Sequence, residues 1–178
     1  AQPDMSLSNV SLAEINGADL IKVKLTMKYY EEAIRFIESI EKGAVRASKL
    51  LHSRNKNEVL EAMDFFVLAD AYDVSKSKVG VKRMLHLVWM KGTNDDGTSI
   101  TNHLFECYKN LFLTAPHNST AIEAAAYVAK NLISLTYQTS VSDLASLEKL
   151  LSSMYEDEFI DNTVVKILWQ IYNNSIGG

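Results

Sequence analysis

His103 and Cys107 stand four residues apart and are the nearest approach to a reactive pair in this chain. On a helix that spacing puts both side chains on one face. An imidazole beside a thiol is the start of a nucleophilic dyad or half of a metal site. A dyad needs a third group to orient the base, and a zinc site needs three or four ligands. The surrounding sequence offers no such partner. Cys107 also falls on an apolar stripe, where a free cysteine behaves as a small hydrophobe. Asp95-Asp96-Gly97 has a faint likeness to a calcium loop. The further oxygen ligands and the closing glutamate, about twelve residues from the first, are missing. A polar turn ahead of a helix start at Thr98 or Ser99 accounts for it. No glycine-rich phosphate loop occurs. No catalytic, cofactor-binding or metal-binding residue is assigned, and a non-enzymatic protein without a cofactor is expected.

The charged residues leave more room for function. Lys76, Lys78, Lys82 and Arg83 fall on one helix and its entry. Lys78 and Lys82 are expected to share a face opposite the stripe of Val81, Leu85 and Val88. Arg46, Lys49, Arg54 and Lys56 surround the preceding turn. The two groups sit at opposite ends of the intervening helix, so nothing requires them to form one surface. Either can neutralise phosphates and bind without regard to sequence. The plainer reading is a solvated helix face, with Arg83 paired to an acidic group of a neighbouring repeat. Glu156, Asp157, Glu158 and Asp161 read as a solvated connector, or as a contact for a basic segment of a partner.

Composition narrows the classes. The 178 residues carry 22 acidic and 18 basic side chains, a net charge of −4 that does not suit a dedicated nucleic-acid binder. The single cysteine excludes an internal disulfide and fits a reducing compartment. Asn-x-Ser/Thr matches at Asn9, Asn118 and Asn173 carry no weight without signs of secretion. No apolar run approaches the length of a membrane span, and no signal-peptide pattern opens the chain.

These side chains must be positioned by helices. Val23, Met27, Tyr30, Ile34 and Ile37 form a helical stripe between Ala18 and Lys42. Gly43 is expected to break or bend that helix, leaving a shorter one to His52. Asn55 with Glu58, and Thr120 with Glu123, have the spacing of capping boxes. Apolar residues at i, i+3, i+4, i+7 and i+8 recur at Val59–Val67, Val81–Trp89 and Leu104–Phe112. An alanine-rich face spans Ala121–Leu132, and the last pair uses Leu144, Leu147, Leu151 and Met154, then Val164, Ile167, Leu168, Ile171 and Tyr172. Gly92 to Gly97 reads as a loop. No segment alternates like a strand. The first helices of successive pairs are expected near Lys56, Ser99 and Ser142, and their partners near Ser77, Thr120 and Asn162. A period in the low forties with two helices per unit is that of HEAT or armadillo arrays. The expected fold is therefore an all-α solenoid of helical hairpins. Residues 1–17 form a flexible lead-in, and residues 18–175 about four helical pairs cut from a longer array. Stacked pairs leave long binding surfaces rather than a deep pocket.

The stretch NEVLEAMDFFVLADAY (Asn57–Tyr72), followed by KVGVKRMLHLVW (Lys78–Trp89), resembles the HEAT-repeat region of condensin complex subunit 1, a non-SMC subunit family. The likeness is densest from Asn55 to Phe112, includes HLFECYKNLFL, and extends more weakly to the Tyr29–Ile40 helix and to Ile171. Paired phenylalanines, acidic residues and a Gly-Val-x-Arg-Met-Leu run carry it, with Gly80 and Arg83. The resemblance implies a non-catalytic scaffold that binds the kleisin subunit and helps regulate the SMC ATPase subunits on double-stranded DNA. It implies a place in mitotic chromosome condensation, in the nucleus and on chromosomes or in the cytoplasm, away from membranes. A generic HEAT or armadillo adaptor for transport or trafficking is the competing class, and the match from Glu58 to Trp89 argues against it.

Overall fold

The computed structural model describes the backbone of residues 17–90 and 95–177 and the side chains of residues 17–90 and 100–177. The expected lead-in lies outside these residues except for Gly17, which opens the first helix. Among the described residues there are seven α-helices: α1 (Gly17–Leu50), α2 (Lys56–Asp70), α3 (Ser75–Met84), α4 (Asp95–Tyr108), α5 (Ala121–Gln138), α6 (Leu144–Glu156) and α7 (Asn162–Ile176). No strand occurs among the described residues. A 3-10 segment, Leu85–Trp89, prolongs α3, and a π-helical turn, Lys109–Leu113, prolongs α4. The fold is an all-helical repeat.

The chain divides into two compact units, residues 1–40 and 41–178. In the first, every described residue is helical, and the stripe Val23, Met27, Tyr30, Ile34 and Ile37 is exposed. In the second, α2 packs on α3 and α5 packs on α7. The helices expected near Lys56, Ser99 and Ser142 open at Lys56, Asp95 and Leu144. The helix expected from Ser99 thus begins earlier. Asp95, Asp96 and Gly97 are helical rather than a loop, and Thr98 and Ser99 lie inside the helix. Aspartates suit a first turn because the helix dipole is positive there.

Gly43 does not interrupt α1. A glycine inside a helix costs only about 1 kcal/mol, and here it makes room. A Cβ at Gly43 would stand 2.8 Å from the Phe65 ring. Gly80 plays the same part more severely, since a Cβ there would meet the Phe66 ring at 2.0 Å. The paired phenylalanines and the glycine of the Gly-Val-x-Arg-Met-Leu run are thus one packing device: α3 lies close on α2 because residue 80 has no side chain.

The core follows the stripes closely. Met63, Phe66, Met84, Leu104, Leu150 and Met154 are fully buried, each contributing about 1.5–3 kcal/mol by leaving water. Ala125 and Ala129 bury the small-residue face of α5, which packs on α7. Some outer stripe positions depart from expectation. Trp89 is 52% exposed, Leu144, Ile171 and Tyr172 are exposed, and Leu150 rather than Leu151 takes the fully buried place on α6.

Both predicted N-caps form, but only one of them is a capping box. Thr120 and Glu123 make the reciprocal pair of bonds of a capping box. At α2 the Asn55 carboxamide accepts the Asn57 N–H at 3.0 Å. Glu58 does not reach the Asn55 N–H directly. That N–H donates to Ser53 Oγ at 3.0 Å, and the Ser53 hydroxyl donates in turn to the Glu58 carboxylate.

α2 packs on both α3 and α4, as neighbours in an array should. α6 also packs on the 3-10 segment that prolongs α3. The Trp89 indole N–H donates to Ser146 Oγ at 2.7 Å, and His86 Nε2 lies 3.0 Å from Asp143 Oδ1. A strictly nearest-neighbour stack has no such link.

Candidate functional site

α3 is the element that organises the basic residues, and it divides them between two grooves. On one flank Lys76, Val79 and Arg83 recur at i, i+3 and i+7. They face Ala44, Val45, Ser48, Lys49 and His52 at the end of α1 across a groove of about 360 Å³. This joins members of the two basic groups that the sequence left apart. Lys76 sits 3.6 Å from the Glu41 carboxylate. Arg83 makes no ion pair among the described residues, so the expected structural partner in a neighbouring repeat is absent there. Three basic side chains, Lys49, Lys76 and Arg83, face one carboxylate across an apolar floor of Ala44, Val45 and Val79. An anionic group on a short apolar stem has a complementary surface here.

On the other flank Lys78 and Lys82 line a second groove, of about 450 Å³, with Val81, Leu85, Tyr108, Phe112 and Leu135. Lys78 and Lys82 do share a face, but they do not lie opposite the apolar stripe, since Val81 and Leu85 border the same groove. The two lysines are one helical turn apart and Val81 sits between them, so one groove takes all three. Lys78 is already engaged, 3.0 Å from Asp73 Oδ1. The hydrogen bond to Asp73 raises its pKa above the ordinary lysine value. Partial burial raises the Asp70 carboxyl, and Lys78 opposes that shift. Asp143 closes the far rim. This groove is mixed in charge and richer in aromatic surface, so it suits an extended peptide better than a phosphate backbone.

Arg46, Arg54 and Lys56 line neither groove. Arg46 and Arg54 are exposed, and Lys56 is half-buried at the start of α2. The acidic connector is solvated as expected: Glu156, Asp157, Glu158 and Asp161 are exposed. Asp161 caps α7 by accepting the Thr163 N–H at 3.3 Å.

Cys107 is buried in the core, as the stripe predicts. Burial, then the nearby Asp64 and Glu106 carboxylates, push its thiol up to about 12. A thiol so protonated is not an activated nucleophile. The orienting group that His103 lacks in sequence is nevertheless present in space: His103 Nε2 lies 2.6 Å from Asp64 Oδ1, across from α4 on α2. Nothing in the sequence marks a pairing between residues 39 apart. Neighbouring Tyr108 is buried, donates its hydroxyl to the Val81 carbonyl at 2.9 Å, and has its pKa pushed up by burial. Tyr108, Leu135 and Asp143, which complete the second groove, were also invisible before the chain was folded. Each lies on a different element.

No protein-family model matches the chain. Condensin complex subunit 1 of Saccharomyces cerevisiae is 58% identical over 160 residues, 90% of this chain and 14% of that protein. The Schizosaccharomyces pombe protein of the same name is 46% identical over 159 residues, 89% of this chain and 14% of its own length. The human one is 27% identical over 158 residues, 88% of this chain and 11% of its own length. The chain therefore spans about one seventh or less of the curated relatives it matches. The resemblance carried by the paired phenylalanines, Gly80 and the run that follows is borne out from yeasts to vertebrates: this chain is related, along nearly all of its length, to one segment of the condensin complex subunit 1 proteins.

Proposed function

We propose that the chain is a non-catalytic HEAT-repeat segment of a condensin subunit that binds the kleisin subunit, an SMC head, or both, and also contacts double-stranded DNA without sequence preference. Its place is then in mitotic chromosome condensation, on chromosomes in the nucleus, as part of a longer solenoid that includes about four helical pairs of this chain. The relatedness to condensin complex subunit 1 supports the assembly. The observation that carries the binding role is the pair of grooves along α3, one cationic and one mixed. They divide the work by chemistry. Lys49, Lys76 and Arg83 suit phosphate or an acidic side chain, because basic side chains that neutralise phosphates release the counterions condensed on a polyanion. The groove of Lys82, Tyr108 and Phe112 suits an extended kleisin segment that buries apolar side chains.

Isothermal titration with overlapping kleisin peptides tests the second groove. Binding of one peptide that is lost in Phe112→Ala is the expected result, and heat-silent titrations with every peptide would leave the segment without a kleisin role. A mobility-shift assay at two salt concentrations tests the first groove. Lys49→Glu with Arg83→Glu should abolish any shift, whereas Lys78→Glu, already paired to Asp73, should weaken it less. A shift unaffected by the double reversal would remove the cationic groove from DNA contact. Fractionation with chromatin checks the location.

A further inference from the structure

We propose that Asp64, His103 and Cys107 form a binding site for a zinc-class divalent transition-metal ion that pins α2 to α4. Three donors of different chemistry converge there: a carboxylate oxygen, an imidazole nitrogen and a thiol sulfur, all within 4.8 Å of one another. The convergence is built from two elements. His103 and Cys107 share a face of α4 by their i,i+4 spacing, and the packing of α2 on α4 brings up Asp64. Zinc sits at about 2.0–2.3 Å from nitrogen, oxygen and sulfur ligands. In a tetrahedron that spaces the donors roughly 3.3–3.6 Å apart. The separations in the chain run from 2.6 Å to no more than 4.8 Å, close enough for one ion. His103 Nε2 and Asp64 Oδ1, now 2.6 Å apart, part by less than about 1 Å to admit an ion.

The surroundings favour a three-ligand site over a closed one. Cys107 is buried, His103 is half-buried and Asp64 is exposed, so the ion sits where the core meets solvent. A shallow depression lined by Leu60, Asn102, His103, Glu106 and Phe159 opens beside it. Water from that side completes the fourth position. A sulfur and an imidazole ligand select against magnesium and calcium, which take oxygen ligands, and in favour of zinc or cobalt. The proton balance is simple. The ion accepts a lone pair from the carboxylate and one from the imidazole nitrogen, displaces the thiol proton to solvent, and forms a metal–thiolate bond. The thiol gives up one proton per ion bound, and no oxidant or reductant is needed.

The test uses the whole chain without an affinity tag, treated with a chelator and titrated with Co²⁺ alone. One equivalent should bind with a thiolate-to-cobalt charge-transfer band and tetrahedral visible absorption, and Zn²⁺ should bleach both. His103→Gln and Asp64→Asn should each weaken binding by at least about tenfold, the lower limit seen even for groups behind the ligands. Cys107→Ser should abolish the charge-transfer band. His86→Gln, which alters the other histidine–aspartate pair, should leave the titration unchanged. The wild-type titration decides the matter even if the Cys107 variant does not fold: no charge-transfer band at excess Co²⁺ overturns the site. A band of full intensity in His103→Gln overturns it equally.

Discussion

At the scale of single residues, the absence of a side chain at position 80 does as much as any side chain present. Gly80→Ala would drive a methyl group into the Phe66 ring, which is itself fully buried. Overpacking of that kind costs about 1–3 kcal/mol, so the variant's denaturant midpoint should fall with no change in slope. Cys107 makes a prediction in the opposite direction along the pH axis. Its thiol is raised from 9.0 to about 12 in the fold. Below pH 9 both folded and unfolded states keep the proton, and the stabilising contribution is intact. Between 9 and 12 the unfolded chain ionises while the folded one resists, so the contribution is lost as pH rises. Chemical denaturation across that window should show a falling stability whose slope is shallower in Cys107→Ala. The slope that remains belongs in part to Tyr108, whose hydroxyl burial also raises.

At the scale of elements, the helix starts carry measurable stability. Thr120→Ala removes half of a capping box and should cost about 1 kcal/mol. Ser53→Ala should cost a comparable amount at α2, because Glu58 holds the Asn55 N–H only through that hydroxyl. Thermal melts of both variants check the pair, and a neutral Ser53→Ala would remove the relay. The two starts also show what a sequence can and cannot reveal. A capping box is local, so Thr120 and Glu123 could be read three residues apart. The Ser53 relay lies two residues outside the motif and was missed. The buried stripes were legible because a helix repeats its inward face regularly along the chain. Gly43 misled because glycine's helix penalty is small beside the packing that the Phe65 ring gains there. Trp89 misled because its ring lies on the stripe while its indole N–H seeks Ser146. Of the candidate site, the cations were legible as types. Their division between two grooves was not, since it depends on how α1 ends beside α3 and on residues from α4 and α5.

At the scale of the second unit as a whole, the bonds from Trp89 to Ser146 and from His86 to Asp143 span about sixty residues and pass over an intervening hairpin. Trp89→Phe keeps a smaller aromatic ring in place and deletes one bond, worth about 1 kcal/mol. Amide exchange should then quicken in α6 and in the 3-10 segment together. Faster exchange in α6 alone would mean the two elements are held independently. The same clasp bears on how the segment can be dissected. In an array tied only rung to rung, the last hairpin can be trimmed and the remainder stays sound. Here a truncation after Gln138 strips α6 from the 3-10 segment Leu85–Trp89, so the piece left behind starts to fray from its middle. The smallest autonomous portion of residues 41–178 therefore has to keep α6, and any shorter excision inherits a wound far from where it was cut.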